Sequence, residues 1–189
     1  MHALRQGAAA KLIARPPVKF HLQFDPAEIV ALAARFADSE TGDAAVAAAG
    51  AAAGARGHYE RDEFLVACAW KTPRSRPLVA RNDAAAIARA TRRALGPDAG
   101  ERERIEALLG LQGVGVPTAS VLLHFARPAA YPILDVRALE SLGVTGRSTY
   151  PVGFWLGYLE ACRSLAAAHG VSLRTLDKAL WQYSKERSR

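Results

Sequence analysis

The chain has 189 residues, half of them hydrophobic, and 25 Lys and Arg against 18 Asp and Glu give a formal net charge of +7. That length supplies one sizeable core, or two small lobes sharing one, and the basic balance suits a polyanionic partner without fixing a fold. Two cysteines, Cys68 and Cys162, exclude a four-cysteine zinc or iron–sulfur site, no histidine pair has HxxxH spacing, and no apolar run reaches membrane-spanning length.

The first residues, MHALRQGAAAKLIARPP, are basic but lack a continuous apolar stretch of secretory type. They read as the start of an N-terminal arm, residues 1–24. The arm ends in VKFHLQF (Val18 to Phe24), which alternates apolar and polar with period two. It has no hairpin partner, so a strap lying across helices is expected, not a sheet. Two isolated thiols form no disulfide framework, and a reducing cytoplasm is the expected compartment.

Residues 25–189 read as one helical domain. In DPAEIVALAARF, Asp25 is placed as N-cap, Pro26 at the first helical position and Glu28 at the capping-box position. TGDAAVAAAGAAAGARGH is Ala/Gly-rich. Alanine favours helix while Gly42, Gly50, Gly54 and Gly57 interrupt it, so a weak helix or flexible connection is expected. YERDEFLVACAW is a buried helix, broken by Pro73 and Pro77 in a loop that carries Lys71, Arg74, Arg76 and Arg81. Asn82 is placed as cap of the next helix, which stops at Gly96. Another helix runs to Leu111, and a further one follows LQGVG. The last two helices end at Gly170 and start from a Ser172 cap. The sum is about eight helices, all-α, too uneven in length for an up-down bundle.

LQGVG separates two apolar helical patterns. Gly113 and Gly115 open positive-φ conformations and let another backbone approach closely, and Pro117 suits the first turn of the helix that follows. Such a hairpin aims unpaired N–H groups outward at a helix N-terminus, a binding place for a phosphate oxygen that reads no sequence. A plain αα-hairpin is the other reading of this pentapeptide alone. Asp135, in YPILDVRALESLG, sits at a helix start, where an aspartate caps and where the N–H groups favour its anion.

Taken together, LLGLQGVGVPTASVLL and YPILDVRALESLG resemble the helix-hairpin-helix (HhH-GPD) DNA glycosylase superfamily. Members pair an L-x-G-V-G hairpin with a catalytic aspartate. Here Asp135 lies eighteen positions after Pro117, a spacing like that of the endonuclease III branch. The likeness covers about Leu108 to Gly143 and, more loosely, extends back to Phe64. It implies a two-lobed helical fold with a cleft between the lobes. The core lobe would be about 59–143, and the second lobe would combine 25–58 with 144–189.

The activity implied is hydrolysis of the N-glycosidic bond of a damaged or modified base in duplex DNA, by a cytoplasmic, nucleoid-associated monomer with no membrane contact. Asp135 would stabilise positive charge on the sugar. Lyase-type members have a lysine where this chain has Pro117, which has no amine for a Schiff base. A monofunctional enzyme is therefore implied, without an iron–sulfur cluster or other cofactor. A monovalent cation at the hairpin backbone is the one ion this reading admits.

The extruded base needs a pocket with aromatic and polar groups. Trp70 and Lys71 end a core helix at the Pro-rich loop. Tyr131 lies four residues before Asp135, and Glu63 shares a helical face with Trp70. These four are the pocket candidates, against ordinary roles as core aromatics and solvated charges. Gly113, Val114, Gly115 and Thr118 of the hairpin, with Arg74, Arg76 and Arg81, are the expected DNA contacts. The rival readings are a non-catalytic DNA-binding module and a helical protein-interaction domain.

Overall fold

The computed structural model describes residues 18–36 and 43–188. Among these it is all-helical: ten α-helices, two 3₁₀ turns and no strand. No described helix is long and apolar enough to cross a membrane. In chain order the helices are α1 (Ile29–Arg35), α2 (Asp43–Arg56), α3 (Arg61–Lys71), α4 (Arg76–Val79) and α5 (Ala84–Leu95). They continue with α6 (Glu101–Leu109), α7 (Val116–Ala126), α8 (Val136–Ser141), α9 (Val152–Ala168) and α10 (Leu173–Arg187).

The helix α7 is the centre of the molecule. Nine of its residues, from Val116 to Phe125, are buried, and α2, α3, α5 and α6 pack around it. Six of the nine are apolar and spread around the helix, which therefore has to be enclosed, while Thr118, Ser120 and His124 are its buried polar residues. The other nucleus is α10, which packs on α1, α8 and α9. Ser172 caps α10 through the Thr175 amide, and Leu173, Leu176, Ala179 and Leu180 form its buried stripe.

The period-two segment is a strap. Val18, Phe20, Leu22 and Phe24 are half-buried while Lys19, His21 and Gln23 are exposed. The His21 and Gln23 amides donate to the Leu142 and Ser141 carbonyls at 3.1 and 3.0 Å. Phe20 meets Phe154 and Tyr158 edge-on at 5.5 and 5.8 Å. The rest of the expected arm, residues 1–17, lies outside the described residues.

One local expectation is narrowed and two are corrected. Of the weak helix or flexible connection expected for the Ala/Gly-rich segment, the described residues form a fourteen-residue helix, in which Gly50 and Gly54 are packing sites: a Cβ on Gly50 would lie 2.3 Å from the Phe125 Cβ, and one on Gly54 2.3 Å from the Ala126 carbonyl oxygen. Glu28 forms no capping box, because Asp25 caps a 3₁₀ turn (Pro26–Glu28) that precedes α1. Asp83, not Asn82, caps α5, accepting from the Ala86 amide at 2.7 Å. Asn82 is instead buried and bound on both sides. Its amide donates to the Val79 and Gln112 carbonyls, and its oxygen accepts from the Gln112 amide, all at 2.9 Å.

Candidate functional site

Between the helices around α7 and those around α10 lies a cleft of about 410 Å³. Phe36, Trp70 and Trp181 give it aromatic walls, and Ile133 and Ala138 an apolar floor. Its charged lining is Asp43, Lys71, Asp135, Arg174, Asp177 and Lys185.

Asp135 stands where the chain enters α8. Its Oδ1 accepts from the Arg137 amide at 2.9 Å, so it is the N-cap, and its Oδ2 accepts from the Lys71 ammonium at 2.7 Å. The pair is not sealed off: the Asp135 side chain is 27% exposed and that of Lys71 11%. The approach to Asp135 is tied down residue by residue. The His124 Nδ1 is 2.7 Å from the Tyr131 carbonyl, the Tyr158 hydroxyl donates to the Ile133 carbonyl at 2.8 Å, and the Leu134 amide donates to the Ser120 hydroxyl at 2.9 Å. Two of those anchors, Ser120 and His124, belong to α7, so the helix that begins at the glycine hairpin also fixes the segment that presents Asp135.

A continuous chain of hydrogen bonds links α2, α3 and α10 along the cleft lining. The Trp70 indole donates to Asp43 Oδ1 at 2.9 Å. Arg174 reaches Asp43 Oδ2 at 3.2 Å and Asp177 Oδ2 at 2.8 Å. Burial pushes the Asp177 carboxyl up, an effect opposed by His124, Arg174 and Lys71. Burial likewise pushes His124 down.

The structure brings Trp70, Lys71 and Asp135 into one site and leaves two pocket candidates outside it. Glu63 lies in the first turn of α3, about 10 Å of helix from Trp70. Its carboxylate is engaged by Arg56 at 2.8 Å and by the Glu60 amide at 2.9 Å, where it completes a capping box. Tyr131 is 3% exposed and packs under the Arg163 guanidinium; only its carbonyl helps to hold the Asp135 segment.

In the hairpin, Gly113 has φ +77, and a Cβ there would lie 2.8 to 2.9 Å from Leu78 and Val79. It is required by the protein's own packing. Val114 and Thr118 are buried, because the hairpin is anchored through them to the core, so their side chains are not at the surface. Gly115 and Gln112 are what the turn exposes. Gly115 precedes α7 without a side-chain cap, and among the described residues the Gly115, Val116 and Thr118 amides have no protein acceptor. Arg74, Arg76 and Arg81 are exposed around α4, beside the hairpin, and form no ion pair among the described residues.

The sequence reading missed Phe36, Asp43, Arg174, Asp177, Trp181 and Lys185. A signal was present in α10: Arg174, Asp177, Trp181 and Lys185 recur at three-, four- and four-residue steps, a polar and aromatic stripe on one helical face. Asp43 gave none, being one acid at the edge of an alanine-rich run. No group of three His, Cys, Asp or Glu among the described residues is arranged to hold a metal ion. No family model matches the chain, and no curated protein or solved structure is significantly similar to it.

Proposed function

We propose that the chain is a monofunctional DNA glycosylase of the helix-hairpin-helix kind. The observation that carries this reading is the Asp135 carboxylate, charge-paired and partly exposed in an aromatic-walled cleft, on a segment anchored to the helix that starts at the glycine hairpin. In this reading the helices around α7 and those around α10 are the two lobes, with α2 joining the α7 lobe and α8 the α10 lobe, each opposite to its place in the division expected from sequence (59–143 against 25–58 with 144–189). The exposed turn at Gly115, with Arg74, Arg76 and Arg81, grips phosphates, and the cleft receives the extruded nucleotide.

The chemistry asked of Asp135 is electrostatic. Positive charge develops on the sugar as the bond from C1′ to the base nitrogen breaks, and the bonding pair leaves with the base. Water then adds at C1′, and the base departs with a proton. Asp135 has one oxygen on its own helix and the other on Lys71, so it faces the sugar as a fixed anion. Lys71 holds that carboxylate in place, and Pro117 supplies no amine.

Asp135→Asn is expected to lower base release at least about a thousandfold while lesion-bearing duplex is still bound. Release is scored by alkaline cleavage of abasic sites over a panel of lesion duplexes, and turnover at the wild-type rate by the variant removes Asp135 from the chemistry. Borohydride is expected to trap no covalent adduct, and an adduct through Lys71 overturns the monofunctional assignment. A non-catalytic DNA-binding module is the second reading. It is favoured by one observation: both Asp135 oxygens already have protein partners, as those of a purely structural cap would. It predicts binding with no abasic product from any duplex.

A further inference from the structure

Arg174 and Asp177 lie one turn apart on α10 and both line the cleft. Asp177 Oδ2 accepts from Arg174 Nη1 at 2.8 Å, which fixes the two groups side by side. Asp177 Oδ1 has no hydrogen-bond partner among the described residues. Of the five guanidinium N–H groups, one is spent on Asp177 and one on Asp43. Asp43 is itself pinned by Trp70, so the guanidinium does not swing. The wall therefore carries one uncommitted carboxylate oxygen and uncommitted guanidinium N–H groups on two side chains joined by a hydrogen bond.

An acceptor beside a donor is the complement of a ring amide, whose N–H and C=O are adjacent. We propose that this cleft recognises a neutral base through such a lactam edge, Asp177 accepting the N–H and Arg174 donating to the carbonyl oxygen. The inference rests on the glycosylase reading of the same cleft. It names the substrate class as deaminated or oxidised carbonyl-bearing bases, of which uracil and hypoxanthine are the simplest.

The aromatic walls argue the same way. A cationic alkylated base is recognised by the free face of an electron-rich ring. Here Lys185 and Arg137 lie 4.9 and 5.3 Å from the Trp181 ring, and Lys178 and Arg174 lie 5.5 and 5.7 Å from that of Phe36. A positively charged base would meet four protein cations at those two rings. A neutral base without a lactam meets a different obstacle: it would cover the Asp177 Oδ1, on a largely buried side chain, without giving it a donor, the arrangement by which polar sites reject analogues most strongly. Thymine and guanine carry a lactam edge too, but correct pairing keeps them in the stack, and a mispaired base is extruded at lower cost.

Four duplexes test the proposal: uracil opposite guanine, hypoxanthine opposite thymine, 1,N6-ethenoadenine (neutral, without a lactam) and 3-methyladenine (cationic, without a lactam). Release by the wild-type protein is measured relative to the spontaneous rate, and binding by the Asp135→Asn protein is measured by gel shift. The first two duplexes are expected to exceed the other two at least about a hundredfold in release and tenfold in binding. Asp177→Asn and Arg174→Gln, each checked for helical content, are expected to narrow the ratio tenfold or more. Equal or greater preference for ethenoadenine or 3-methyladenine overturns the lactam assignment and leaves the glycosylase reading standing. So does an unchanged ratio in a folded variant. Release from no duplex alongside selective binding of the lactam pair overturns the glycosylase reading alone. Neither release nor selectivity overturns both.

Discussion

His124 shows how one residue at the back of the site ties stability to pH. It is fully buried on α7, its ring lies edge-on to Phe125 at 5.0 Å, and its Nδ1 meets the Tyr131 carbonyl. Burial holds its pKa below the ordinary 6.5, against the attraction of Asp177. The unfolded chain therefore takes up a proton at a pH where the folded chain does not. Stability from this group is complete above 6.5 and is lost as pH falls through 6.5 toward the depressed folded value. Asp177 has the opposite sign: burial raises its carboxyl above 3.8, so its contribution is complete below 3.8 and fades as pH climbs toward the raised folded value. His124→Asn keeps a donor for the Tyr131 carbonyl and removes the titration. Urea midpoints measured from pH 7.5 to 5.5 are expected to fall for the wild type and to stay flatter for the variant, although Asn lowers the absolute midpoint by leaving a cavity. Parallel slopes for the two proteins place the proton uptake elsewhere.

At the scale of helices, glycine means two different things here, and that difference limits what could be read from sequence. The caps at Asp25, Asp135 and Ser172, the stops at Gly96 and Gly170, and the alternation of Val18 to Phe24 are local signals, and each marks a real boundary or face. Gly50 and Gly54 look locally like helix breakers. Their reason is tertiary: they let α2 lie against the C-terminal end of α7, and no pattern inside the alanine-rich run announces Phe125 and Ala126 as neighbours. The same blindness hid Asn82, whose ties to Gln112 span thirty residues of chain, and Asp43, whose partners lie on α3 and α10. Gly50→Ala is expected to destabilise the fold by about 3 kcal/mol, because the atoms it meets include backbone. The hairpin separates the two meanings within three residues. Gly113→Ala combines φ +77 with a collision against α4 and is expected to cost about 2 kcal/mol. Gly115 has φ −97, and its nearest obstacle is the Pro117 Cδ at 3.8 Å. Gly115→Ala is therefore expected to leave the urea midpoint almost unchanged and to weaken duplex binding severalfold, by holding phosphate away from the α7 amides. If Gly115→Ala binds DNA as the wild type does, the turn is only a turn.

For the whole molecule, the question is whether its +7 charge is spread or aimed. Part of the basic side-chain complement is already engaged by other groups of the protein. Arg35, Arg56, Arg93, Arg102, Arg163 and Arg174 sit in ion pairs, Lys71 is bound to Asp135, and Arg104 is buried on the carbonyls that end α5. Arg74, Arg76 and Arg81 stand apart from these, exposed on one short stretch and held beside the hairpin by the packing of Gly113 on Leu78 and Val79 and by Asn82. An aimed cluster of this kind makes binding depend on salt through the counterions that each phosphate contact releases, about 0.9 in the logarithmic slope per contact on duplex DNA. Replacing all three by glutamine takes the formal charge from +7 to +4, and if each contacts a phosphate the slope is expected to become shallower by about 2.7. The comparison that decides is with three arginines already in surface pairs, Arg35, Arg93 and Arg102, replaced in the same way. That control carries the same net charge and is expected to move the slope by less than about 1, because a guanidinium bound to a carboxylate releases little. If both triple variants shift the slope equally, net charge alone governs the association, and α4 is not the face that meets DNA. If the wild-type protein shows no steep slope at all, its partner is not a nucleic acid, and the hairpin and the cleft serve a protein contact instead.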